Sequence, residues 1–241
     1  MKTIAIIIAR GGSKGIPNKN IYDFYGKPLI SWTIKACLNG GVDSVWVSSD
    51  SDEILNIAKE NGARLIKRPV EFATDKSSSE SAWIHAINYI SQSFSINPEW
   101  VIAPQVSSPL TEPKDIVSAL DKINNSDFDS FFSACRVEDL LIWEEDSYNN
   151  LNSINYNWRD RKRRQDIKHQ FIENGAFYAF KPEILIQSNN RFGNKIGVIE
   201  MESWKLFELD EHEDIEICKH LMQKILIKET KSNQNEFRFR Q

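Results

Sequence analysis

The chain has 241 residues, 30 Lys+Arg against 34 Asp+Glu and a formal charge of −4, with 41% hydrophobic and 27% charged residues. That balance excludes a disordered chain and suits a soluble globular protein, and the slight acidity argues against nucleic acid as the main partner. The longest apolar run, residues 4–9, is too short for a signal peptide or membrane span, and Cys37, Cys135 and Cys218 lie far apart with no C-x-x-C pair, so a cytoplasmic protein with free thiols and no membrane partner is expected.

Residues 2–9 are nearly all apolar and rich in β-branched side chains, which predicts a strand buried on both faces, as in a parallel sheet covered by helices. A polar, Gly-rich loop (10–20) follows, then a helical spacing over 29–38, a strand over 44–48, a helix over 52–61 stopped by Gly62, and a short strand over 64–66. The alternation continues with a helix over 79–93, a strand over 100–103, a helix over 113–124 and a strand over 130–134. Residues 136–170 lose the clean period and read as an insertion projecting from the sheet, toward a second subunit. Strands over 176–180 and 196–201 and an amphipathic helix over 214–228 complete the pattern. The expected fold is α/β, a doubly wound, mostly parallel sheet in a single domain spanning 1–241.

In an open α/β sheet, ligands collect beyond the carboxyl ends of the strands. The first loop reads Arg10-Gly11-Gly12-Ser13-Lys14-Gly15-Ile16-Pro17-Asn18-Lys19-Asn20. Its glycines allow tight turns and close backbone approach, and Arg10, Lys14 and Lys19 put three cations around them, a combination suited to a polyphosphate. It is neither of two better-known phosphate loops. Counting a Walker A spacing from Gly11 or Gly12 lands on Ile16 or Pro17, and the Gly11, Gly12, Gly15 spacing misses Gly-x-Gly-x-x-Gly. Composition alone leaves a solvated basic loop as an equal alternative.

IAIIIARGGSKGIPNKN, GKPLISWTI, VWVSSDSDEI, RPVEFATDKSSS, PQVSSPL, RRQD, ENGAFY and ELDEHED occur in that order along nearly the whole chain. In this the sequence resembles the CMP-sialic acid synthetase family (acylneuraminate cytidylyltransferases), of the nucleotide-diphospho-sugar transferase type. The resemblance implies a Mg²⁺-dependent transfer of CMP from CTP to the anomeric hydroxyl of a nonulosonic acid, with release of pyrophosphate, by a homodimer. It implies that Arg10, Lys14 and Lys19 bind the triphosphate, with Lys14 foremost at the α-phosphate. Gly11, Gly12, Ser13 and Asn20 would line the nucleotide, and Arg68 and Ser79 would lie near cytosine and ribose. Glu208 and Asp210 match the family's metal-binding acidic pair. Alternate residues of an extended segment face one way, so the two can converge on one ion. Gln105, Arg164, Gln165, Asn174 and Tyr178 match positions on the sugar side.

The chain departs from the family pattern in three places, one of them Glu208, which stands where an aspartate is often found and makes Asp210 the firmer metal ligand. Ile172-Glu173 replaces an Arg-Pro step, and Trp143 stands where a lysine is found near the sugar. Legionaminic, pseudaminic, KDN and KDO-type sugars therefore remain beside N-acetylneuraminate, although Lys14 and Gln105 disfavour KDO. Outside this chemistry, the alternative is a nucleotide-binding protein without turnover.

Overall fold

The computed structural model describes residues 2–13, 15–138 and 140–238. In chain order the strands are β1 (Thr3–Ile8), β2 (Ser44–Ser49), β3 (Arg64–Lys67), β4 (Trp100–Pro104), β5 (Ser130–Val137), β6 (Trp143–Glu145), β7 (Leu151–Ser153), β8 (Gln170–Phe180) and β9 (Ile196–Met201). The α-helices are α1 (Leu29–Asn39), α2 (Asp52–Glu60), α3 (Ser79–Phe94), α4 (Pro113–Asn124), α5 (Pro182–Ser188) and α6 (His212–Arg238). Seven strands form one sheet in the order β3-β2-β1-β4-β8-β5-β9, and β6 pairs with β7 in a separate hairpin.

The apolar run of β1 is buried on both faces because the sheet has helices on both sides. Ala5 and Ile7 join a core with Leu29 and Ile34 of α1, Ile54 of α2, Ile116 of α4 and Ile215 of α6. Ile4 and Ile6 point the other way, onto Trp83, Ile87 and Ile90 of α3 and Leu185 of α5. Local signals fix the helix ends. The Ser51 hydroxyl accepts from the Ile54 amide at the start of α2, and Glu112 and Asp115 form a capping box around Pro113 at the start of α4. All three cysteines are buried and unpaired, and burial pushes Cys37 and Cys218 up to about 12 and Cys135 up to about 11.

The structure departs from the sequence reading around β8. It begins at Gln170, not 176, and runs antiparallel to both β4 and β5 in an otherwise parallel sheet. Between the pairs Phe132↔Tyr178 and Ala134↔Glu173, five steps along β8 oppose two along β5, so residues 174–177 bulge from the β5 ladder, although Phe177 still pairs with Pro104 of β4. Because Val137 pairs with Gln170, the part outside the main sheet is 138–169 rather than 136–170, and it carries the β6–β7 hairpin. No helix among the described residues is long and apolar enough to cross a membrane.

Candidate active site

A cavity of about 550 Å³ opens where parallel strands end. Its walls come from the loop after β1, the segment between β3 and α3, the turn after β4 and the stretch before α6. These segments bring Arg10, Ser13, Lys19, Asn20, Arg68, Ser79, Gln105 and Asp210 around one space. Lys14 lies outside the described residues.

The first loop is held by its own side chains. Asn20, 8% exposed, donates from Nδ2 to the Arg10 carbonyl at 2.9 Å, which closes the loop on itself. The Gly11 amide donates to Asp50 Oδ1 at 3.0 Å, so that N–H serves the fold and not the cavity. Gly12 is exposed, and neither of these two glycines lines the cavity.

Two cations of the loop already face carboxylates. Arg10 Nη1 lies 2.6 Å from Asp75 Oδ1, and Lys19 Nζ lies 3.0 Å from Asp210 Oδ1. Both pairs are solvent-accessible, so an incoming polyanion competes with a screened contact worth about 0–1 kcal/mol rather than a locked one.

Arg68 differs. It is 4% exposed, lines the cavity, and its Nε has no hydrogen-bond partner among the described residues. Burial lowers its pKa from the usual arginine value, Asp50 supports the charge and Arg10 opposes it. A buried guanidinium edge without a partner costs free energy unless a ligand supplies the acceptor. Next to it, Phe72 lines the cavity and packs against His85, ring centroids 5.1 Å apart, and burial and then Arg68 hold His85 below the usual histidine value against the pull of Glu71. The N-terminal turn of α3 completes this wall: Ser78 caps it by accepting from the Ser81 amide at 3.2 Å, and Ser79 and Ala82 face the space. Its dipole favours negative charge there.

Asp210 lines the cavity beside Lys19, whereas Glu208, two residues earlier, is not among the lining residues. Ser107 grips this stretch twice: its carbonyl accepts from the Leu209 amide at 2.7 Å, and its hydroxyl donates to Glu208 Oε2 at 3.0 Å. Gly175, at φ +62°, lies directly under the Glu208 carboxylate, where a Cβ would come within 2.0 Å of Oε1. Burial raises the Glu208 pKa, the Ser107 bond lowers it, and the Asp210 charge raises it further. Two carboxylates two residues apart, one of them lining a cavity that also holds cations, have the donor chemistry for Mg²⁺. That ion takes one or two carboxylates and fills its shell with phosphate oxygens and water. Glu208 and Asp210 could hold it.

The residues expected on the sugar side divide. Gln105 lines the cavity, and its backbone N–H donates to the Ala176 carbonyl at 2.9 Å. Asn174 does not. It is 1% exposed, in the β8 bulge, and its Nδ2 donates to the Lys205 carbonyl at 3.0 Å, so its amide serves the scaffold below Glu208. Tyr178 does not line the cavity either. Its hydroxyl bonds Glu173, Arg191 covers its ring at 4.2 Å, and burial first, then Glu173, push it up to about 12. Gln165 borders a separate depression of about 290 Å³ with Glu138, Ile167 and His169. Arg164 begins a 3₁₀ turn over Arg164–Asp166 in the same projecting segment.

Sequence reasoning missed Asp75 as the partner of Arg10, Ser107 as the clamp on Glu208, and the burial of Lys205. Position after a strand end, the signal that found the first loop, was available for Ser107 as well.

Residues 4–234 match the family described as cytidylyltransferase. N-acylneuraminate cytidylyltransferase B of Danio rerio is 42% identical over 179 residues, which is 72% of this chain and 40% of that protein. The chain thus spans about two fifths of the length of that curated relative. Pseudaminic acid cytidylyltransferase of Campylobacter jejuni (serotype O:2) is 31% identical over 226 residues, 92% of this chain and 96% of that one. Among solved structures, CMP:2-keto-3-deoxy-manno-octonic acid synthetase complexed with CTP is similar with a TM-score of 0.68 at 17% identity, covering 93% of this chain and 99% of the other. At that identity the likeness concerns the fold.

Proposed function

The chain belongs to the cytidylyltransferase family, and we propose that it transfers CMP from CTP to the anomeric hydroxyl of a nonulosonic acid, releasing pyrophosphate. N-acetylneuraminate is the leading sugar and pseudaminate the first alternative, since relatives bearing both names resemble this chain. The observation that carries the reading is Arg68, a buried cation with an unpartnered edge in a cavity that also holds Arg10, Lys19 and Asp210.

The chemistry follows from charge. The anomeric oxygen forms a bond to the α-phosphorus as the bond from that phosphorus to the bridging oxygen breaks; pyrophosphate leaves, and the hydroxyl proton is lost to solvent. Charge shifts onto the phosphoryl oxygens and the leaving group, so positioned cations supply most of the catalysis. Arg10 and Lys19, with Lys14 from the same loop, bind the triphosphate, Arg10 and Lys19 exchanging Asp75 and Asp210 for phosphate oxygens. Arg68, Ser79 and Asn20 orient the nucleoside, and Gln105 reaches the sugar. Glu208 and Asp210 would hold Mg²⁺, which when bound neutralises charge on the phosphate oxygens.

The projecting segment suits a homodimer. Leu140, Ile142, Trp143, Leu151, Ile154 and Trp158 are all exposed there, an apolar face that a second copy would cover, bringing Arg164 and Gln165 to the neighbouring sugar site. A cytoplasmic location is part of the same reading, as CTP is a cytoplasmic substrate. The test is pyrophosphate release with CTP and Mg²⁺ in the presence of N-acetylneuraminate, legionaminate, pseudaminate, KDN or KDO. Release with a nine-carbon sugar supports the reading, release with KDO alone overturns the sugar class, and none with any sugar leaves a nucleotide-binding protein.

A further inference from the structure

Three residues before Glu208, a lysine is sealed into the protein. The Lys205 side chain is 0% exposed, and its ammonium meets three carboxylates: Asp115 Oδ2 at 2.5 Å, Glu112 Oε2 at 2.7 Å and Glu202 Oε2 at 2.9 Å. The ammonium hydrogen-bonds Asp115, while Glu112 Oε2 contributes charge at ion-pair distance without a hydrogen bond. Lys114 joins the outer side, 3.2 Å from Glu112 Oε2 and 2.5 Å from Glu202 Oε1. Buried charge in this arrangement is weak evidence for stability, because desolvation offsets the attraction; what it does supply is geometry.

That geometry joins two walls of the cavity. Glu112 and Asp115 are the capping box of α4, at the end of the turn that starts with Gln105 and Ser107. Asp115 Oδ2 accepts from the Glu112 amide at 2.8 Å and from Lys205, so the cap and the ammonium share one oxygen. The Lys205 backbone is fixed as well, its carbonyl by Asn174 and its amide by the Glu202 carbonyl at 2.8 Å. Lys205 and Ser107 therefore tie the same two segments at successive points, and the short run between them carries Glu208.

We propose that Lys205 is a positioning residue: its three-carboxylate seat holds residues 206–210 in register with the turn after β4, so that Asp210 stands beside the cationic loop with Glu208 two residues before it. It never touches a ligand. The inference rests on the cytidylyl-transfer reading only for the identity of what the carboxylates meet.

Lys205→Met alone leaves three acids around an apolar chain and is expected to destabilise the fold, so the test pairs it with Asp115→Asn, which restores the cluster's net charge and keeps an acceptor for the Glu112 amide. Three readouts are compared in the wild type, the double variant and Lys205→Arg: thermal stability, hydrogen exchange of the Leu209 amide, and Mn²⁺ binding with CTP present, followed by electron paramagnetic resonance of free Mn²⁺. The expected result for the double variant is a melting temperature close to wild type, faster Leu209 exchange, and Mn²⁺ affinity at least tenfold weaker, with Lys205→Arg recovering part of both losses. Unchanged Leu209 exchange and unchanged Mn²⁺ affinity in the folded double variant would overturn the proposal. If the wild type itself binds neither Mn²⁺ nor CTP while Leu209 exchange still responds to Lys205, the functional reading fails and the positioning role stands.

Discussion

Gly15 and Asp210, 195 positions apart in the chain, are in backbone contact: a Cβ built on Gly15 would lie 2.2 Å from the Asp210 carbonyl oxygen. The cationic loop and the carboxylate segment therefore form one packed unit. The distance between the groups that would bind phosphate and those that would hold a metal is set by the absence of a side chain.

Gly15→Ala must push the two apart by more than an ångström, because an ordinary Cβ contact begins near 3.4 Å. Displacements of that size cost on the order of 10²-fold in rate when they separate reacting groups. The expected outcome is a loss of kcat/KM of that order with a small change in Tm. Gly12→Ala, whose Cβ would meet nothing within 4 Å, is the steric control for Tm. Wild-type kcat/KM in folded Gly15→Ala would show that the contact does not set the site.

Arg68→Met removes a buried cation whose Nε lacks a partner, and the protein should lose no stability. Hydrogen bonds to a charged group contribute about 1.5–3 kcal/mol. The KM for CTP should therefore rise about 10- to 100-fold, since roughly 1.4 kcal/mol is tenfold. Initial rates over a range of CTP, with melting curves, check both parts. A fall in Tm without a change in KM would make Arg68 a core residue only.

Asp210→Asn tests the acidic pair. The Asp210 side chain is 66% exposed and its contact with Lys19 is a surface ion pair, so Tm should hardly move. The Mg²⁺ concentration needed for half-maximal rate should rise at least tenfold. An unchanged Mg²⁺ titration would remove Asp210 from the metal site.

Lys14 stands at the centre of the glycines, and its removal should act on turnover. Lys14→Ala is expected to lower kcat by about 10²-fold or more, as for loss of one transition-state donor. A folded variant with near wild-type kcat would move that role to Arg10 or Lys19.

The parallel half of the sheet was readable because its signals are local. A strand buried on both faces, a Gly stop at residue 62 and a Ser or Pro at a helix start each state themselves within a few residues. The direction of β8 is not local: an apolar strand such as Ala176–Phe180 reads alike in either orientation. The hairpin escaped because its faces are exposed, Trp143 and Leu151 included, so no alternation marks it. At the site, the first loop is legible from its place after β1, whereas Arg68, Gln105 and the acidic pair rest on the family resemblance; Arg68, Gln105 and Asp210 line the cavity and Glu208 does not. Asn-Gly-Ala-Phe-Tyr fixes a segment but not its facing, and in the bulge Asn174 is buried with its side chain on the Lys205 carbonyl rather than in the cavity. Lys205 offered no signal except a lone lysine in an apolar stretch.

The charge cluster around Lys205 also fixes how stability responds to acid. Burial opposes ionisation of Glu202, yet its bonds to Lys114 and Lys205 outweigh this and hold its carboxyl at about 2, against an ordinary value of 4.5. A depressed carboxyl contributes stability above about pH 4.5, and the contribution is lost as pH falls toward about 2. Because 39% of its side chain is exposed, solvent screening reduces the contribution to about 1 kcal/mol. Asp115 works against it: burial raises its pKa despite Lys205, so its protonation in mild acid favours the folded state. Melting temperature followed from pH 6 to about 2.5 in wild type and Glu202→Gln isolates the first effect. The wild type should lose its advantage over Glu202→Gln progressively below about pH 4.5, and parallel curves through that window would show that Glu202 is not held ionised by its two lysines.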